Sequence, residues 1–253
     1  MKKVGIIGAG ISGLFIANLL KRNSNYQITV FEKNYSINLK EGYGIQLSVN
    51  SVKLLNQIGF DKFQYKKKFN PDKINFYSIK NLNKICELNI SDFNTEYCKY
   101  TTLKRSDLVN FLKTNLEHLI KTSHSISNID QENQRIRLTF ENNEIFESDY
   151  LIISDGVFSK SKSLISNNQN QPKFNKTLAI RGMVNNSSNI IDKKNISLFL
   201  GSNFHYVIYP LNQNGDLNFI AIMKYYLSID EQKNYSLFSN DNFIKKILDN
   251  IPH

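Results

Sequence analysis

Only two cysteines, Cys86 and Cys98, occur in the 253 residues, and their separation fits neither a metal-binding spacing nor a dense disulfide framework. A reducing compartment, the cytoplasm, is the expectation that follows. Internal repeats and low-complexity linkers are absent too. No metal-ligand cluster or Ser–His–Asp set is visible either. Long hydrophobic runs are also lacking. The most apolar stretch, behind Lys2 and Lys3, is short for a membrane span, holds three glycines and shows no small-residue cleavage site. Neither an anchor nor a signal peptide is expected.

What is present fits a soluble globular protein: 41% hydrophobic residues and a mean hydropathy of −0.37. The length supports one large or two small domains with a real core. The net charge of +10 raises the question of nucleic acid. The basic residues are mostly lysines, scattered among many Asn and Ile, which reads as compositional bias rather than a binding surface. No nucleic-acid partner is expected. Lys66-Lys67-Lys68 reads as a solvated loop, and a peripheral association with an anionic membrane surface stays open.

The informative stretch is KKVGIIGAGISGLFIANLL followed by YQITVFEK. Val4–Ile7 reads as a strand that breaks at Gly8, and Leu14–Leu20 reads as a helix. Gly8, Gly10 and Gly13 form GxGxxG in the strand–turn–helix setting that gives the motif meaning. Gly8 permits the tight turn, Gly10 removes a side chain where a pyrophosphate would sit, and Gly13 lets helix and strand pack closely. The helix N-terminus, with Ile11 and Ser12 in its first turn, offers unpaired N–H groups to phosphates. A second strand, Gln27–Phe31, ends at Glu32, about 20 residues past the glycines, as the fingerprint requires. Its carboxylate would accept from a ribose 2′-hydroxyl and repel a 2′-phosphate. The expected ligand is NAD or the ADP half of FAD.

Further along, Asn50 is a candidate cap for a helix closing at Gly59. Lys73–Tyr77 and Lys84–Leu88 read as strands of a separate sheet. A helix is expected over 106–121, capped by Ser106, with Leu108, Leu112, Leu116 and Leu119 on one face. Strands follow at Ser125–Ile129, Arg135–Phe140 and Tyr150–Ser154. From Lys176 the chain is β-rich (TLAIRGMV, ISLFLG, FHYVIYPL, LNFIAIMKYY), and Asn240–Ile251 reads as a short helix. His118, His124 and His253 are expected to be solvated. Nucleotide-binding elements would occupy 1–70 and 100–165, sheet-forming segments 71–99 and 173–227, and the start of a helical segment 228–253. Two interleaved domains follow: an α/β, Rossmann-like FAD-binding domain and a mainly antiparallel β-sheet domain.

Four segments resemble the single-component, FAD-dependent aromatic-ring hydroxylases, the group containing salicylate, p-hydroxybenzoate and ubiquinone-pathway hydroxylases. They are the glycine fingerprint with Glu32, GYGIQLSVN (42–50), LKRSDL around Arg105, and SDYLIISDGVFSKSK with Asp155 and Gly156. The family usually has proline where Val49 stands, and an arginine ahead of the second segment, where only Lys40 is near. The resemblance implies FAD contacts at Gly8, Gly10, Ile11, Ser12, Gly13, Glu32, Lys33, Gly44, Ile45, Arg105, Ile126, Asp155 and Gly156. It places Arg105 at the pyrophosphate, and Asp155-Gly156 at both FAD and NAD(P)H. It places Arg181, Gly182, Tyr209 and Pro210 beside a substrate cavity. His205, next to Tyr206 and just ahead of VIYPL, is a further candidate for that cavity by its position, with a satisfied sheet histidine as the alternative. No catalytic side chain and no metal are implied.

The implied chemistry is that NAD(P)H reduces FAD, O2 reacts with the reduced cofactor, and one oxygen atom goes to an activated aromatic ring. Two other readings share the fingerprint: a reductase or epoxidase of isoprenoids, and a non-catalytic FAD- or NAD-binding module. The family's later Gly-Asp motif, at the start of a long helix, has no counterpart, since Gly215-Asp216 sits in an expected turn between strands. The expectation is a fragment of a longer hydroxylase.

Overall fold

The computed structural model describes residues 1–37, 39, 43–166, 172–185 and 192–249. Lys40 and His253 lie outside the described residues. In chain order the elements are β1 (Lys2–Ile7), α1 (Ile11–Lys21), β2 (Tyr26–Phe31), β3 (Gly44–Leu47), α2 (Val49–Asn56), β4 (Lys68–Phe69), β5 (Lys73–Ser78), β6 (Lys84–Asn89) and β7 (Thr101–Lys104). Then come α3 (Arg105–Lys113), β8 (Ile120–Lys121), β9 (Ile126–Glu132), β10 (Arg135–Phe140), β11 (Ile145–Ser148), β12 (Tyr150–Ile153) and α4 (Lys160–Ile165). The last are β13 (Thr177–Asn185), β14 (Ile196–Leu200), β15 (Phe204–Pro210), β16 (Asp216–Lys224), α5 (Ile229–Lys233) and α6 (Asp241–Asp249).

Two compact units emerge. The first comprises Met1–Gly42, Ser51–Phe63 and Arg105–Pro172, and the second Tyr43–Asn50, Gln64–Lys104 and Lys173–His253. The division differs from the sequence expectation at 43–50, 64–70 and 100–104. These residues carry β3, β4 and β7, which pair antiparallel with one another in their own three-stranded sheet. Backbone pairing, not sequence proximity to the fingerprint, decides their unit.

The first unit is built on a parallel sheet in the order β12-β1-β2-β8. Register sets Ile7 opposite both Phe31 and Ile153, so three strands end abreast. The antiparallel sheet β11-β10-β9 shares a core with it, made by Ile7, Phe31, Ile126, Leu138 and Phe140. Each fully buried aliphatic or aromatic side chain there contributes about 1.5–3 kcal/mol. Helix α1 buries Gly13, Leu14 and Ala17, a helical spacing, and is tied to α3 where Asn18 Nδ2 donates to the Leu112 carbonyl at 2.7 Å.

Three expectations are corrected here. Helix α3 begins at Arg105 and stops at Lys113, well short of 121, so Ser106 lies inside it rather than capping it. Asn115, at φ 68, takes the left-handed conformation that ends helices, and the chain then passes through a 3-10 turn into β8. Leu108, Leu112 and Leu116 are buried all the same. Helix α2 begins at Val49, so Asn50 is its second residue and not its cap. The position where the resemblance expects proline is therefore the first helical residue, where proline is well tolerated. Lys66 and Lys67 are exposed, as a solvated run should be, but in a 3-10 turn that leads at Lys68 into β4.

In the second unit six strands run in the order β13-β16-β15-β14-β5-β6, antiparallel except where β14 meets β5. One face packs Phe204 and Met223 with Phe243 and Ile247 of α6. The other packs Tyr209 and Ile196 with Ile90 and Leu211. Ser228 and Glu231 form a capping box on α5.

Candidate functional site

The ends of β1, β2 and β12 open onto a cavity of about 520 Å3 in the first unit. Ligands of open parallel sheets bind beyond the carboxyl ends of the strands, so the position is the expected one. Gly8, Gly10, Glu32, Lys33, Ile126, Asp155 and Gly156 line it, all sequence candidates. Phe31, Asn34, His124, Ser125, Glu141, Ser154, Phe158 and Lys160 line it as well and were not anticipated. Phe31 and Ser154 could have been found as the residues flanking strand ends. His124, Ser125 and Glu141 come from the antiparallel β9 and β10 region, which has no motif.

The three fingerprint glycines do different work. Gly8 sits at φ 100, and a Cβ there would lie 2.5 Å from the Ser154 carbonyl oxygen. A Cβ on Gly13 would lie 1.9 Å from the Gly8 carbonyl oxygen, so only glycine lets α1 cross the turn. A Cβ on Gly10 would meet nothing within 4 Å. Its lack of a side chain leaves open space at the α1 N-terminus, where there is no side-chain cap and no acidic residue in the first turn. Ile11 and Ser12 stand in that turn, and the end of the helix favours an anion.

Glu32 is held from several directions. One carboxylate oxygen accepts from the Ala9 N–H at 3.1 Å and the other from the Asn34 backbone and side chain at 3.0 and 2.9 Å. Its backbone N–H donates to Lys121, and its carbonyl accepts from His124. The carboxylate is thus fixed at the cavity edge with acceptor capacity to spare.

The buried side-chain polar atoms without a hydrogen-bond partner among the described residues include one on each of two sequence candidates: Arg105 Nη1, at the first residue of α3, and Asp155 Oδ1. The other Asp155 oxygen accepts from the Ser161 N–H at 3.1 Å. An unmet guanidinium donor suits a phosphate oxygen, and an unmet carboxylate oxygen suits a sugar hydroxyl. Open space at Gly10, a bare helix N-terminus, a fixed carboxylate and the orphan Asp155 oxygen together fit an adenine dinucleotide, while Arg105, Ile11, Ser12 and Gly13 are not among the residues that line the cavity.

His124 corrects an expectation. It is buried, its Nδ1 lies 2.6 Å from the Thr122 carbonyl oxygen and its Nε2 3.0 Å from Glu144, and its ring packs on Phe31 and Phe140. The bonds from His124 and Lys121 hold the Glu144 carboxyl below the usual range. Across the cavity edge Lys160 pairs with Glu141 and lowers its carboxyl likewise. His118 is exposed, as expected.

Gly44, Ile45, Arg181, His205 and Tyr209 belong to the second unit. The sheet register puts Arg181, His205 and Tyr209 on one face, because Arg181 pairs with Ile220, Ile220 with Val207, and β15 alternates from there. Arg181 is exposed, with its guanidinium 5.6 Å from the Tyr43 ring centroid. Tyr209 is buried, and burial pushes its phenol up to about 12, against weaker lowering by a hydrogen bond from Gln46 and the charge of Arg181. His205 is half-buried on β15. Among the described residues no group of three His, Cys, Asp or Glu side chains could hold a metal ion, and no helix is long and apolar enough to cross a membrane.

Comparison with known proteins agrees with this geometry. Salicylate hydroxylase of Pseudomonas putida is 23% identical over 239 residues, spanning 87% of this chain and 54% of that protein. A 3-amino-4-hydroxybenzoate 2-monooxygenase of Streptomyces cremeus is 24% identical over 225 residues, spanning 87% and 56%. The chain thus spans about half the length of the curated relatives it matches. Among solved structures, Klebsiella pneumoniae HpxO complexed with FAD and uric acid superposes with a TM-score of 0.81 at 16% identity, covering 98% of this chain and 64% of that one. A family model described as an FAD binding domain matches residues 1–251, so the chain belongs to the FAD binding domain family.

Proposed function

We propose that this chain is the cofactor-binding and substrate-facing part of an FAD-dependent monooxygenase that uses NAD(P)H and O2 to hydroxylate a phenolic or related aromatic ring. The observation that carries the reading is the first unit's cavity, with open space at Gly10, the fixed Glu32 carboxylate and an unmet oxygen on Asp155. In this reading Glu32 binds the adenosine ribose, the α1 N-terminus and Arg105 the pyrophosphate, Ile126 the adenine, and Asp155-Gly156 the sugar-alcohol portion. Lys33 flanks the ribose, and Gly44 and Ile45 meet the flavin. When bound, FAD would supply the redox and oxygen chemistry, and the chain's residues hold it and exclude water. Arg181, His205 and Tyr209 share a sheet face and are assigned to the aromatic substrate. The relatives' names, a hydroxylase and a monooxygenase of hydroxylated aromatic acids, support that class.

The test is direct. Purified protein is examined for a flavin absorption band, then given NADH with and without candidate phenols while oxygen uptake and peroxide are followed. Uptake coupled to a hydroxylated product supports the reading. Electron transfer to an isoprenoid alkene, or its epoxidation, would replace it with the reductase or epoxidase reading. A protein that binds nucleotide without reacting would leave a binding module.

A further inference from the structure

Strand β12 passes the chain to α4 through a turn of unusual composition. The Ser159 N–H donates to the Gly156 carbonyl at 3.1 Å, which closes a four-residue turn with Val157 and Phe158 at its centre. Such positions ordinarily hold Gly, Pro, Asn, Asp or Ser. Here they hold two large apolar side chains, 77% and 70% exposed. Single exposed apolar residues are common and need no explanation. Phe158 differs because it lines the first unit's cavity, which Val157 does not. The Phe158 ring also meets no other aromatic ring among the described residues.

The turn is pinned at both ends, all within the first unit. On one side Asp155 stands against the glycine fingerprint, since a Cβ on Gly8 would lie 3.0 Å from the Asp155 Cα. Asp155 Oδ2 accepts from the Ser161 N–H at 3.1 Å, and Ser159 caps α4 by accepting from the Lys162 N–H at 3.0 Å. On the other side Lys160 pairs with Glu141, just past β10, and Leu164 packs on the core of Phe31, Ile126 and Phe140. The Glu141 N–H donates to the Ser125 carbonyl, next to Ile126. The turn thus spans from the fingerprint to the start of β9 and holds an aromatic ring along that path. A ring fixed in place beforehand loses little freedom when a flat ligand stacks on it.

We propose that Phe158 is the base-stacking residue of the nucleotide site, its ring covering one face of an adenine whose other face lies on Ile126. This rests on the nucleotide reading above and deepens it. Gly10 and Glu32 meet phosphate and ribose, which every nucleotide carries. Phe158 gives the site a reason to prefer a ligand that carries a base.

The test uses the full chain with ADP, FAD and inorganic pyrophosphate. The chain contains no tryptophan, so Phe158→Trp installs a single indole at the site. ADP is expected to quench its emission and to saturate at the affinity that calorimetry gives, whereas pyrophosphate leaves the emission unchanged. Phe158→Ala is expected to bind ADP and FAD about tenfold more weakly, the effect of one lost base–aromatic stack. Its denaturation midpoint should match wild type, because the ring is largely exposed. Val157→Ala, beside it in the turn, is expected to bind both nucleotides as wild type does.

An indole indifferent to ADP in a protein that binds it overturns the proposal, as does unchanged ADP affinity in Phe158→Ala. Equal losses in Phe158→Ala and Val157→Ala overturn it too, since a general disturbance of the turn would explain both. A wild-type chain that binds no ADP overturns the nucleotide reading itself, and the proposal with it.

Discussion

Both units bury polar atoms without a hydrogen-bond partner among the described residues, but in different surroundings. In the first, Asp155 Oδ1 belongs to a residue that lines the cavity, as does Gly10 at the uncapped start of α1, and Arg105 Nη1 stands at the first residue of α3. In the second, Asn75 Oδ1 and Asn218 Nδ2 are left over, while the other amide atom of each is bonded within the unit, Asn75 Nδ2 to Asp192 and Asn218 Oδ1 to the Gly44 N–H. An unmet buried polar group costs about 1–3 kcal/mol, so one at a cavity marks a position that a ligand can satisfy. The first unit's cavity reads as a waiting site, and the second unit's polar side chains read as scaffold.

Three glycines offer the sharpest way to break this comparison, beginning with the largest effect. Gly13→Ala puts a Cβ 1.9 Å from a backbone oxygen that cannot move aside, and should cost about 3 kcal/mol of stability. Chemical denaturation, read as a lower midpoint at constant slope, measures it. Gly44→Ala should cost somewhat less, about 2 kcal/mol, because its neighbours are side-chain atoms that shift a little. Gly10→Ala meets nothing within 4 Å and should leave stability within about 0.5 kcal/mol while weakening ADP and FAD together. A Gly10 variant that destabilised the apo chain as Gly13→Ala does would erase the distinction between ligand glycine and packing glycine.

The next effects are on binding. Replacing Glu32 with Ala should weaken FAD by about 1–3 kcal/mol, the worth of a hydrogen bond to a charged acceptor. Titration of the purified variant checks this, and full affinity would remove Glu32 from the ribose. Arg105→Lys retains the charge and loses the planar fork, so it should bind FAD about tenfold more weakly than wild type. Equal affinity would mean that the guanidinium makes no two-pronged contact.

The same contrast explains what was legible in the sequence. Gly8, Gly10, Gly13 and Glu32 could be read because their work depends on backbone conformation and on the fixed lengths of strand, turn and helix. The positions of Gly8, Gly10 and Glu32 in the cavity follow from three parallel strands ending abreast. Arg105 and Asp155 were reachable only through family resemblance, since an arginine before a helix or an Asp-Gly after a strand is ordinary by itself. His124 was misread because a loop histidine between polar neighbours gives no hint of Phe31 and Phe140 closing over it. The extent of α3 was misread because the leucine spacing continues past Lys113, while Asn115 turns the chain and still buries Leu116. The tie from the Tyr100 hydroxyl to Gln46 Oε1 was out of reach altogether. It joins residues 54 positions apart through sheet register, which no local pattern records.

The smallest expected effect tests whether the second unit's charges are as self-contained as its hydrogen bonds. Glu87, on the edge strand β6, is bonded by Lys73 and Lys84, and those bonds bring its carboxyl down from 4.5 to about 2. A carboxyl lowered by folding contributes stability that is fully present above its unfolded value and is lost as pH falls through its folded value. The window is therefore about 4.5 down to about 2. The melting temperature of wild type minus that of Glu87→Gln should be small and constant between pH 7 and pH 5, then shrink as the solution is acidified to pH 3. The difference should be small throughout because the pair is exposed and screened, and it should fall further in added salt. It should also be the same with and without ADP, since Glu87 lies in the second unit and the proposed nucleotide site in the first. A pH-dependent difference that changed on adding ADP would show that the second unit responds to the nucleotide, and the contrast between a waiting site and a scaffold would fail.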